Sequence, residues 1–179
     1  MGWYVLGSVL GGLAIGALSG SIGDAGGLEH VSGTLRLLAA AVVCGAGWAF
    51  DAGIFRRPVP SIHRQVNEDW LPAYRGWVYG FGFGVQLGFG LATITRTSAI
   101  YSALVAAFLS GSLFVGLAIG GWFGVVRAAP IILTRHVHTG QELARFHQRL
   151  QTLDRAARRG ATLGSLLAAV VLVGGSIGF

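Results

Sequence analysis

The sequence predicts an all-α integral membrane protein, a bundle of five transmembrane helices with one interfacial amphipathic helix. Three observations carry that expectation. Of 179 residues, 53% are hydrophobic and only 11% charged, against about 25% charged in an average soluble domain. Mean hydropathy is +0.65. Apolar runs of about 20 residues, enough to cross a bilayer, recur at about 3–22, 35–55, 76–95, 99–126 and 161–179. All five fall in a single transmembrane domain covering residues 1–179.

The first run, WYVLGSVLGGLAIGALSGSI, follows Met1 and Gly2 directly. It lacks the basic n-region of a signal peptide and is too long for an h-region, so a span is expected. The second run carries the lone cysteine, Cys44, and Asp51 near its end. A single buried cysteine packs as a small apolar residue. It excludes an intrachain disulfide and leaves a disulfide between subunits open. Asp51, in WAFDAGIFRR, has two readings. It forms an interfacial ion pair with Arg56 or Arg57, or it carries a cation or proton, because ionisable residues in spans are functional candidates.

The third run, GWVYGFGFGVQLGFG, places Gly76, Gly80, Gly84 and Gly88 on one helical stripe. Lipid offers little hydrophobic drive between helices, so small-xxx-small stripes mark where backbones approach. Gly82, Gly90 and Gln86 lie off the stripe. Glycine-interrupted segments also mark transporter sites, so LGFGLATITRTS (87–98) is a candidate interruption. Thr93 and Thr95 would satisfy its freed backbone groups. A pathway beside this span would be lined by Gln86, Thr93, Thr95 and Asp51.

The fourth run repeats the small-residue spacing at Gly116, Gly120 and Gly124. The pentapeptide GLAIG occurs at 12–16 and again at 116–120, in spans expected to run in opposite directions. That placement is the mark of an inverted repeat, with spans 1 and 2 matching spans 4 and 5. Between spans 4 and 5, Thr139 and Glu142 fit a capping box. Leu143, Phe146, Leu150 and Leu153 then share one helical face. A helix at about 140–158 is expected along the inner membrane surface, apolar side down; a docking site for a partner is the other reading.

The net charge of +6 comes from arginine alone, concentrated in the 55–75 and 127–160 connections. Basic loops stay in the cytoplasm, which predicts an N-in, C-out chain in a bacterial cytoplasmic membrane. This distribution explains the basic charge without nucleic acid. Arg96 and Arg127, at span ends, are expected to snorkel to headgroups. Trp3, Trp70, Trp77 and Tyr74 fall near the interfaces, where aromatic rings collect. His136 and His138 would face one side of an extended segment, but no further ligand is evident and no metal is expected. No catalytic or cofactor motif is present, so neither an enzyme nor a cofactor is expected.

Three features together resemble the transmembrane family of cytochrome c biogenesis and disulfide-reductase proteins, the CcdA and DsbD type within the LysE-type transporter superfamily. They are the glycine-rich YGFGFGVQLGFGLATI, the small-residue SALVAAFLSGSLFVGLAIGGWFGVVRAAPIIL, and the basic ELARFHQRLQTLDRAARRG leading into a last span. The resemblance implies two inverted halves. The stretch from Leu87 to Arg96, where the family keeps a cysteine and proline, has neither. A thiol relay needs a second sulfur, so the resemblance implies the scaffold without the relay.

Function follows in two readings. The first is a permease or exporter of a small solute or ion. The alternative is a non-transporting subunit or assembly factor of a larger membrane complex, linked to redox chemistry or cofactor maturation. Expected partners are membrane lipid and either a second copy of the chain or another membrane subunit.

Overall fold

The computed structural model describes residues 1–55, 75–90, 98–133 and 140–177. Among these it holds six α-helices and a short 3-10 turn: α1 Gly2–Ala25, the turn Leu28–His30, α2 Gly33–Asp51, α3 Gly76–Phe89, α4 Ala99–Leu109, α5 Leu113–Leu133 and α6 Gly140–Ile177. Four stretches are long and apolar enough to cross a membrane: Gly2–Ala25, Gly33–Asp51, Leu113–Ile131 and Arg159–Ile177. Among the described residues the fold is all-helical, with four helices compatible with membrane spans. Its many glycines do not prevent helix formation, because in lipid every backbone polar group must be satisfied within the segment.

Helix α1 is the axis of the bundle. A Cβ built on Gly7 would strike the Phe81 carbonyl, and one on Gly11 that of Val85. In return, Gly84 faces Tyr4 and Gly88 faces Ser8. Both series ascend together, so α1 and α3 run parallel. On the adjoining face Gly12 meets Gly120, Gly16 meets Gly116, and Gly20 meets Ser112. That series descends, so α1 and α5 run antiparallel. The two GLAIG copies therefore lie against each other, head to tail, each glycine Cα facing the other's backbone.

Ser8 sits where α1, α3 and α5 converge and is fully buried, at 0% exposure. Its Oγ donates to the Gly124 carbonyl at 2.9 Å. Ser8→Ala is expected to lower stability by about 0.6 kcal/mol, the average for such bonds between membrane helices. Ser8→Leu has no room between two backbones and should leave little folded protein. Thermal unfolding of the two variants in nanodiscs separates the lost bond from the lost fit.

Several expectations need correction. The span expected at 76–95 is helical only to Phe89. Gly90 ends it at φ +73, a left-handed conformation that glycine adopts without a Cβ penalty. The single span expected at 99–126 is two helices, α4 and α5, parted at Ser110–Ser112. There Gly111 holds φ +56, and the Ser110 Oγ donates to the Ala107 carbonyl at 2.6 Å. The separate interfacial helix and last span are instead one helix of 38 residues, about 57 Å long. Gly160 and Gly164 lie within it, since one glycine costs only about 1 kcal/mol in a helix. Thr139, the proposed cap, lies outside the described residues, and the side chains of the 140–158 apolar face are not among those described.

At about 21 Å and 16 Å, α3 and α4 are each too short to cross the roughly 30 Å hydrocarbon core alone. They meet nearly end to end. A Cβ on Gly90 would strike the Ile100 side chain, and the Phe123 ring of α5 closes the same corner at 3.1 Å. Helix α4 then runs beside the second half of α1, where Gly23 abuts Phe108. Helix α2 packs on α4 and α6, and α6 touches little else.

Candidate functional site

Sequence reasoning singled out Asp51, and the structure gives its carboxylate a definite task. Asp51 is the last residue of α2. Its Oδ1 accepts the Ser98 backbone N–H at 2.8 Å, and its Oδ2 accepts the Ser98 hydroxyl at 2.9 Å. Ser98 is the N-cap of α4 and makes no side-chain cap of its own. A helix N-terminus has unsatisfied N–H groups and a positive dipole end. Asp51 supplies the missing acceptor and a complementary charge from another helix. Its proposed partners Arg56 and Arg57 lie outside the described residues. The mouth of this junction opens into a crevice of about 440 Å³ that Arg159 of α6 also lines.

One to two turns away on the same contact, Gly47 abuts Ser98 and Ser102. Cys44 is buried at 8% exposure and lies beside the Ser102 hydroxyl. That hydroxyl has no hydrogen-bond partner of good geometry among the described residues. A small residue at 47 lets α2 and α4 close, and Cys44 fills the space beside it. Buried against α4, the thiol is not presented to a second chain, so the intersubunit disulfide left open above has no accessible sulfur. A cavity of about 280 Å³ flanks this contact, lined by Val43, Ala46, Phe50, Tyr101 and the two serines.

The other expected pathway residues are not gathered here. Gln86 is half-buried on α3, whose packing partners are α1 and α5, whereas Asp51 faces α4. Thr93, Thr95 and Arg96 lie outside the described residues, as do His136 and His138. Among the described residues no three of His, Cys, Asp and Glu stand close enough to hold a metal. Of the packing glycines, Gly84, Gly88, Gly116, Gly120 and Gly124 touch backbone of α1. Gly80 makes ordinary contact with Trp3 and Tyr4 at 4.0 Å, and Gly76 meets nothing within 4 Å. The stripe diverges from α1 at its first turn, where Trp3 and Trp77 fill the gap with ring centroids 5.6 Å apart. Arg127 is half-buried with its guanidinium carbon 5.6 Å from the centre of the Phe123 ring, rather than extended freely to headgroups.

Sequence reasoning missed Ser98 and Ser102. The signal was present: RTSAI places Thr97 and Ser98 before an apolar run, the usual sign of a helix start. It was absorbed into an expected span boundary. The acceptor for that start, 47 residues away in the chain, has no local sequence signal.

No family model matches this chain, and no solved structure does. It is similar to the methylamine utilization protein MauF of Paracoccus versutus, at 31% identity over 169 residues, or 94% of this chain and 61% of that protein. MauF of Paracoccus denitrificans is 30% identical over 122 residues, 68% of this chain and 44% of the relative. MauF of Methylophilus methylotrophus is 29% identical over 128 residues, 72% and 43%. The chain thus spans less than two thirds of the relatives it matches. These relatives correct the resemblance to CcdA and DsbD proteins: the similarity that extends along the chain is to MauF. Glycine-rich spans and a basic connection are features that many polytopic proteins share, and they did not discriminate. The relatives' names state neither a catalytic activity nor transport. What this chain resembles along nearly its whole length is a methylamine utilization protein, MauF.

Proposed function

We propose that the protein is a non-transporting membrane accessory factor that acts with other proteins in methylamine utilization, assisting assembly of the methylamine-consuming machinery. The observation that carries this reading is the similarity to MauF over 94% of the chain. It favours the assembly-factor alternative over the permease. The described structure agrees in one physical respect. Backbone-to-backbone contacts join α1 to α3 and α5, so the bundle centre is closed, and the Asp51 oxygens are both engaged by α4.

In this reading α3 and α4 together make the third of five crossings, and the chain lies N-in, C-out in a bacterial cytoplasmic membrane. Gly84, Gly88, Gly116, Gly120 and Gly124 act as packing residues within the chain. Gln86 belongs to the interrupted crossing, with no solute passing it. A partner subunit, rather than a second copy, completes the assembly.

Deleting the gene in its native host is the direct test. Growth with methylamine as sole nitrogen source should fail, growth on ammonium should be unchanged, and uptake of labelled methylamine into cells should persist. Lost uptake would replace the reading by transport. Unimpaired growth on methylamine would remove the link to its utilization.

A further inference from the structure

At the end of the bundle opposite Asp51, Arg36 stands in the first turn of α2. A cation there opposes the dipole of its own helix. It turns instead to α4: one Nη donates to the carbonyl of Ser110, the C-cap of that helix, at 3.2 Å. The guanidinium has five N–H donors. Its Nε is shielded from solvent and has no hydrogen-bond partner among the described residues. A buried, unmade bond to a charged group is costly.

The same arginine lines a cavity of about 620 Å³ walled by α2, α4 and α6. Arg36 and Thr34 give it a polar end, and Leu37, Ala40, Leu109 and Leu172 give it an apolar trough. The polar end lies at the start of α2, beside the α1–α2 turn. A free inorganic anion would match the arginine but not the trough. A neutral chain would match the trough but not the arginine.

We infer that this groove is a binding site for an anionic glycerophospholipid, its phosphate taken by Arg36 and one acyl chain laid between α2, α4 and α6. Charge complementarity fixes the headgroup and the apolar walls fix the chain. The occupant joins α6 to the rest of the bundle, which α6 otherwise touches chiefly through α2. Basic pockets between membrane helices hold lipid headgroups by the same physics. The inference stands apart from the role in methylamine utilization, and its test does not use growth.

The full chain, purified in detergent and stripped of lipid, would be titrated with phosphatidylglycerol, phosphatidylcholine or inorganic phosphate. Bound adducts are read by native mass spectrometry and the unfolding midpoint by thermal scan. Phosphatidylglycerol is expected to bind at least fivefold more tightly than phosphatidylcholine, in line with one arginine near the surface, and to raise the midpoint. Arg36→Gln should erase that preference, and Arg36→Lys should keep part of it. Leu172→Trp, which fills the trough and leaves the arginine, should lose the lipid while keeping its helix content by circular dichroism. This second variant keeps the test decisive if Arg36→Gln does not fold. Equal binding of the two lipids would overturn the inference, as would an unchanged preference in Arg36→Gln. Saturation by inorganic phosphate that displaces the lipid from an intact trough would assign the site to a free anion and overturn it as well.

Discussion

Gly120→Leu is expected to leave almost no folded protein in the membrane. A Cβ at that position would lie 2.8 Å from the Gly16 Cα and closer still to the Gly12 carbonyl. Neither neighbour is a side chain that can swing aside. Alanine would gain roughly 1 kcal/mol of helix propensity over glycine, but the backbone clash outweighs it, since overpacking costs about 1–3 kcal/mol even where side chains can adjust. Leucine must force α1 and α5 apart and break the Ser8 bond to Gly124. Gly82→Ala is the control. Gly82 lies in α3 with nothing within 4 Å of a built Cβ, so that change should raise stability by about 0.5–1 kcal/mol. Size-exclusion profiles of the two variants extracted side by side measure both, and equal monodisperse yields would refute the close approach of α1 and α5.

Asp51→Ala carries the second large effect. It removes two hydrogen bonds and a charge from the start of α4, where Ser98 is 5% exposed and water cannot easily substitute. Losing a cap costs about 1 kcal/mol, and stranding a buried N–H adds about 1–3 kcal/mol. A loss of roughly 2–4 kcal/mol is therefore expected. Hydrogen exchange should quicken first at Ser98 to Ser102 rather than throughout the bundle. Asp51→Asn keeps one acceptor for the Ser98 N–H and should lose less. If Asp51→Ala unfolds no sooner than the native chain, the carboxylate is free for another task and the reading of this junction falls.

The membrane character and the small-residue faces were legible in the sequence because they are properties of single segments. Length and apolarity announce a span wherever the chain goes, and a glycine every fourth residue marks a face whatever it meets. What the face meets is a different matter. The sequence shows Gly84 and Gly76 as equals on one stripe, and only the divergence at Trp3 and Trp77 separates the buried one from the open one. Breaks were harder still. Gly90 and Gly111 look like the other glycines around them, and nothing local distinguishes a left-handed position from a packing one. The Asp51–Ser98 junction was illegible for a third reason: it is a contact between distant segments, and Arg56 offered a nearer partner on paper.

The long last helix, α6, has a mechanical consequence. Its 38 residues are continuous, whereas Arg159–Ile177 suffices to cross the bilayer. On the proposed topology the remainder, about 28 Å, is a lever arm outside the hydrocarbon. A helix bends little without a proline, a bulge or an inserted side chain, so a push on the free end arrives as tilt at the other. Because α6 leans chiefly on α2, the tilt is handed to α2, and through Asp51 to the start of α4. On the proposed topology, a grip on the arginine-rich arm would therefore act on the α3–α4 break through α2, with no ligand entering the bilayer.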